Sequence, residues 1–171
     1  MSNITPDGQY VVDNTAEIIT ISAEGEISLS VQIPMDKPRY KHLQTLLNDG
    51  SVLIAGGIDA TNTILASATR YFPASNRFIA QGDLNTPRVE GTMSPLLRQA
   101  EKALVIGGLS NNGALSSTEL FSTVASAGCI PTPTAEVGCF QPNVNLNRSR
   151  WGHSSATPVS YTHLTLPTIG C

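Results

Sequence analysis

Apolar and polar positions along the chain fall into short runs with turn residues between them. Leu43 to Leu47 and Ser51 to Ala55 are apolar-rich, and Asn48-Asp49-Gly50 separates them. Asn and Asp tolerate positive φ and Gly prefers it, so this tripeptide predicts a β-hairpin. Ala66 to Phe72 reads as a third strand, Pro73-Ala74-Ser75-Asn76 as a turn, and Arg77 to Gln81 as a short fourth strand.

The unit recurs. Pro38-Arg39-Tyr40-Lys41-His42 returns as Pro87-Arg88-Val89-Glu90-Gly91 and again as Ser149-Arg150-Trp151-Gly152-His153. Leu53-Ile54-Ala55-Gly56-Gly57 returns as Leu104-Val105-Ile106-Gly107-Gly108. A third landmark contains Glu17, Thr69 and Glu119 at corresponding places. Arg39 and Arg88 are 49 residues apart, Gly56 and Gly107 are 51 apart, and the steps from Glu17 to Thr69 to Glu119 are 52 and 50. Four strands in about 50 residues is the pattern of one blade of a β-propeller.

The order of these landmarks resembles kelch repeats: Arg-x-x-His or Arg-x-x-Gly, then a double glycine, then Thr-Glu-Leu-Phe. The closest likeness is to kelch repeats of large bacterial exported proteins and of galactose-oxidase-like propellers, and it spans Thr15 to about Thr157. It implies an all-β partial propeller of about two four-stranded antiparallel blades with part-blades at both ends. Residues 1–37 would end a preceding blade, with strands at about 15–22 and 26–32. Residues 38–86 would form one blade and 87–147 the next, with a Cys-containing insertion at 122–139. Residues 148–157 would start a further blade. Arg39, His42, Gly56, Gly57, Tyr71, Arg88, Gly107, Gly108, Glu119, Arg150 and His153 would then be structural repeat positions. Two features depart from the pattern. Gln99-Ala100-Glu101-Lys102 stands where the first unit has its Asp-Gly turn, and the insertion stretches Arg88 to Arg150 to 62 residues.

The resemblance implies a non-catalytic binding or scaffold module of a larger exported protein, extracellular or periplasmic, with no cofactor. Its partners would be the remaining blades of that protein and a protein or carbohydrate ligand. The alternatives are a piece of a galactose-oxidase-like copper oxidase or of a kelch sugar-acid isomerase. In the oxidase family Tyr, His and a cross-linked Cys from several blades hold the metal, and none of these maps onto this sequence. A closed propeller takes about 4–8 blades, so the chain is expected to be a fragment.

Composition narrows the classes further. The chain has 171 residues, a formal net charge of -3 and only 13% charged residues. Nucleic-acid binding would call for a basic face, and disorder for a charge-rich, apolar-poor chain. No apolar run approaches the roughly 18 residues of a membrane helix.

Each recurring residue has a chemical reading and a structural one. The double glycines could cradle a phosphate, but that needs a glycine loop opening a helix. Here they end a strand, where Gly permits bulges and close packing. Arg39, Arg88 and Arg150, with His42 and His153, could form a cationic or metal-binding ring. Alternatively each Arg bonds loop carbonyls, or a strand Glu such as Glu17 or Glu119, with its five fixed donors. Repetition favours that second reading. Tyr40, Tyr71, Phe72, Phe121 and Trp151 are expected to pack in the core or between blades. Cys129 and Cys139, 10 residues apart in a Pro/Gly/Thr-rich loop, suit a disulfide in an exported protein. Metal binding or two free thiols are the alternatives, and C-x₂-C spacing is absent. No nucleophile elbow or marked carboxylate pair occurs.

The C-terminal tail reads differently. Val159 to Thr168 resembles the translation of a common transposase sequencing adapter, as in assembled metagenomic reads, and residues 158–171 are expected to be adapter-derived. His163 and Cys171 are accordingly not counted as ligands. Deleting residues 158–171 is expected to leave the urea-unfolding free energy unchanged within about 0.5 kcal/mol, the usual scatter for uninvolved surface changes. A loss of about 2 kcal/mol, on the scale of an ordinary destabilising change, would mean that the tail packs specifically.

Overall fold

The short runs become strands because each is bounded by a turn residue or by a backbone group engaged elsewhere. The computed structural model describes residues 3–4, 10–29, 32–96, 101–124, 136–157 and 164–165, and no described residue is helical.

The N-terminal strands are short. β1 (Asn3–Ile4) pairs with β2 (Tyr10–Val11). β3 (Thr15–Ala16), β4 (Ile19–Ile21), β5 (Ile27–Leu29) and β6 (Ile33–Pro34) make one interrupted hairpin in which β3 pairs with β6 and β4 with β5. The two continuous strands expected at 15–22 and 26–32 are therefore broken. Ala16 pairs with Ile33 and Ile19 with Leu29, so the register steps by one residue between the two ladders.

Two four-stranded antiparallel sheets follow. The first contains β7 (Leu43–Leu46), β8 (Val52–Ala55), β9 (Ala68–Phe72) and β10 (Arg77–Gln81), in the order β10-β9-β8-β7. Strand β9 starts two residues later than its sequence suggests. The Ala66 carbonyl accepts Leu84 N–H, and the Ser67 carbonyl accepts Gly56 N–H and the Arg39 side chain, so neither belongs to the ladder.

The second sheet begins with β11 (Thr92–Pro95) and β12 (Ala103–Ile106). The small hairpin of β13 (Leu109–Ser110) and β14 (Gly113–Ala114) then leaves the sheet. β15 (Thr118–Ser122) and β16 (Cys139–Pro142) complete it, in the order β11-β12-β15-β16. The insertion separates these last two strands. β17 (Ser155–Ala156) lies beside β11 and pairs with β18 (Leu164–Thr165), so the tail's one described piece adds to the nearest open edge.

Register decides what the sheets bury. Leu43, Ala55 and Ala68 sit opposite one another, and Leu53 shares their face two residues on. In the second sheet Met93 and Val105 form one rung, and Ala103, Phe121 and Phe140 another on the same face. With Leu47 and Leu84 these residues form one buried cluster, so the first sheet packs face to face on the second. Phe121 is fully buried, with its ring centroid 5.1 Å from that of Phe140. Ile19, Ile21, Ile27 and Leu29 of the N-terminal hairpin stay largely exposed.

Truncating Phe121 removes the fully buried one of the two phenylalanine rings in this cluster. Phe121→Ala is expected to cost about 3–5 kcal/mol in chemical denaturation. Leu46→Ala, on the exposed end of β7, is expected to stay within about 0.5 kcal/mol. Similar losses for both would mean that the sheets do not share a core.

Candidate functional site

The recurring arginines act alike in both sheets. Arg39 Nη1 donates to the Gly56 carbonyl at 3.1 Å and the Ser67 carbonyl at 2.8 Å, and Nη2 to Ser67 Oγ at 3.2 Å. Arg88 Nη1 donates to the Gly107 carbonyl at 2.8 Å and the Ser117 carbonyl at 3.2 Å, and Nη2 to Ser117 Oγ at 3.2 Å. Both side chains are buried. They pin the end of the second strand to the start of the third.

Each double glycine completes the joint. Gly56 N–H donates to the Ser67 carbonyl and Gly57 N–H to the Arg88 carbonyl; Gly107 and Gly108 do the same toward Ser117 and Arg150. The glycines have φ between 57° and 108°. A Cβ on Gly56 would stand 2.3 Å from the Arg88 carbonyl oxygen, and one on Gly107 2.6 Å from that of Arg150. Glycine is required here twice over, by backbone angle and by the approach of the next repeat. Since all four N–H groups are engaged, the double glycines present no free cradle to a phosphate.

The two sheets balance the buried guanidinium differently. Glu119 accepts Arg88 Nη2 at 2.5 Å, and also Asn85 N, Asn85 Nδ2 and Thr86 N at 2.7, 2.9 and 3.0 Å. Thr69 stands at the corresponding place in the first sheet, fully buried. Arg39 instead has Asp36, 3.5 Å from Nη2 and partly exposed. Burial lowers the pKa of both arginines; Asp36 and Asp83 oppose the shift at Arg39, and Glu119 opposes it at Arg88. Glu17 makes no such pair among the described residues and accepts Gln32 Nε2 at 3.3 Å.

The other sequence-selected residues are scattered. Tyr71 clasps the turn after its own strand, its hydroxyl donating to Asn76 Oδ1 at 2.7 Å and its ring centroid 5.1 Å from that of Phe78. His153 is buried and His42 half-buried. Burial and a neighbouring arginine lower both imidazole pKa values. Among the described residues no group of three His, Cys, Asp or Glu is placed to hold a metal. Phe121 is core, but Trp151 is half exposed on the loop before β17, where it does not pack inside. Cys139 opens β16, and Cys129 lies outside the described residues.

Three clusters escaped the sequence reading. Arg70 is buried between Asp49 and Ser51 of the hairpin turn, with its guanidinium 4.7 Å from the Phe72 ring centre. Burial alone would raise the Asp49 pKa, but hydrogen bonds from Ser51 and the Arg70 charge hold it below the usual carboxylate value. Gln81, on the edge strand β10, accepts Gly138 N–H at 2.8 Å and donates to the Glu136 carbonyl at 3.0 Å, fastening the insertion's return leg to the first sheet. Lys41 and Glu90 pair at 2.5 Å where consecutive repeats meet, and Glu90 raises the Lys41 pKa. At this seam Lys41, Glu90 and Gly152 all have positive φ. Glu90 N–H donates to the Lys41 carbonyl and Gly152 N–H to the Glu90 carbonyl. The signal for this seam was present, since the three residues hold one repeat position.

No family model matches this chain, and no curated protein matches it. Among the described residues no helix is long and apolar enough to cross a membrane.

Glu119→Gln would leave a buried guanidinium without its counter-charge. The expected loss is about 3–5 kcal/mol, the cost of breaking a buried pair from one side. Asp36→Asn removes a longer, partly exposed contact and is expected to cost under about 1 kcal/mol. Urea-unfolding midpoints of the two variants compare them directly, and equal losses would refute the distinction.

Proposed function

We propose that the chain is a segment of a kelch-type β-propeller that serves as a non-catalytic binding or scaffold module in a larger exported protein, extracellular or periplasmic. The observation that carries this reading is the repeated joint. Arg39 and Arg88 spend their donors on the same two carbonyls and one hydroxyl in successive units. Residues that recur with the period thus serve the backbone, and a ligand would meet the positions that vary. The proposed partners are the remaining blades and a protein or carbohydrate ligand.

A disulfide between Cys129 and Cys139 belongs to the same proposal. The reading rests on the placement of Cys129 and Cys139, 10 residues apart in one Pro/Gly/Thr-rich insertion. Closing so short a loop would contribute about 2–3 kcal/mol on the chain-entropy view. Peptide mapping without reductant, after oxidative expression, is expected to recover both residues in one linked fragment, and both as free thiols would count against it.

The decisive experiment is electron microscopy of the full-length product of the uncut gene. A closed ring of four-stranded sheets about a central channel is expected, and an open stack would overturn the propeller reading. Dialysis of that same product against Cu(II), followed by metal analysis, is expected to leave less than one copper per chain. Stoichiometric copper would replace the binding module with the oxidase alternative.

A further inference from the structure

His153 occupies a place in the fold that its chemistry suits only in one protonation state. It lies three residues after Arg150, as His42 does after Arg39. The residue is 8% exposed. Nε2 is 3.2 Å from Thr92 Oγ1 on β11, and Nδ1 is buried with no hydrogen-bond partner among the described residues. The ring rests on the bare backbone of Gly107: a Cβ there would lie 3.0 Å from His153 Cε1 and 3.4 Å from Arg150 Cγ.

Among the described residues the charged groups around it offer no counter-charge. On its own segment the neighbour is Arg150, a cation. In the loop before β11 the carboxylate is Glu90, which is engaged by Lys41. Strand β11 brings neutral Thr92 and Ser94, the latter 2.7 Å from Ser155 Oγ. The double glycine brings backbone alone. A protonated ring would need an acceptor at Nδ1 and would face a cation instead, and burying such a charge unpaired is costly.

We propose that His153 is an acid-sensitive latch, which keeps Ser149–Ala156 docked on the second sheet while neutral and releases it when protonated. The sign follows from the docked environment. Burial and Arg150 hold the docked imidazole below its ordinary value of 6.5, whereas the released segment keeps that ordinary value. Docking is therefore at full strength above about pH 6.5, weakens as pH falls below it, and stops weakening once the docked ring is itself protonated. His42 is the internal control: it holds the same repeat position in the first unit, shares the buried Nδ1 and the lowered pKa, and lies outside Ser149–Ala156.

Trp151 is the only tryptophan and stands two residues from the latch, which makes it a local reporter. In the intact chain its emission, titrated from about pH 8 to 5, the range of histidine switching, is expected to move to the red in one step with a midpoint below about 6.5. His153→Gln keeps a polar end toward Thr92 and removes the titration, so its emission is expected to stay flat, while His42→Gln keeps the wild-type step. A flat wild-type curve, or the same step in His153→Gln, would overturn the latch. Should that variant misfold, as judged by far-ultraviolet circular dichroism, NMR of the wild-type His153 Cε1–H decides instead. A midpoint below about 6.5 supports the latch and one at or above it overturns it.

Discussion

A buried guanidinium must find acceptors for donors that water can no longer serve, and the rest of this structure is arranged around that demand. Arg88 is fully buried. Its fork reaches the carbonyls of Gly107 and Ser117, which flank the end of β12 and the start of β15, neighbouring strands of the second sheet. Satisfying the arginine therefore fixes the path of the chain between strands. The path requires positive φ at both glycines, and the space above them is filled by the backbone of the next repeat. One side chain thus couples the inside of a sheet to its neighbour, because the same glycines that feed its own arginine receive the carbonyl of the following one.

The acceptors are conserved between the two units while the counter-charge is not. Glu119 lies in strand β15 and closes a dense network with the Asn85–Thr86 loop. Across the corresponding joint Thr69 fills the strand position, and the carboxylate has moved into the loop as Asp36. The geometry of the fastening is carried by neutral backbone oxygens, so the negative charge can migrate between strand and loop. It also leaves the first joint with the longer and wetter ion pair.

Much of this could be read from the chain. The Asn48-Asp49-Gly50 turn places β7 and β8, and Arg77 to Gln81 is a strand as its residues suggest, because these signals are local. The period exposed the arginines and the glycines, since a requirement that repeats leaves a repeated residue. What could not be read depends on contacts between distant segments. The break after Ala16 reflects a register step between two ladders. The Gln81 clasp on Glu136–Gly138 joins residues 55 and 57 apart in sequence. Arg70 looked like an ordinary strand position, and only the fold shows that it locks the hairpin turn through Asp49. Trp151 was expected in the core or between blades, and it is half exposed on the loop before β17.

These distinctions bear on where chemistry can reside. A side chain that is needed in every unit to hold strands together, as Arg39 and Arg88 are, is buried and has its terminal donors spent on the backbone. The positions that differ between units and reach solvent are the ones with a choice of residue: Tyr40 and Trp151 after two of the arginines, and Lys41, Glu90 and Gly152 next to them, whereas Val89 is buried. In that last set the repeat fixes only the backbone, a positive φ and one hydrogen bond to the neighbouring unit. The side chain is then free to be a cation, an anion or nothing. A row with an invariant backbone and variable charge is what a surface needs if it is to be re-specified without disturbing the fold beneath, so selection for binding would act there and on the insertion, and selection for stability on the arginines and glycines.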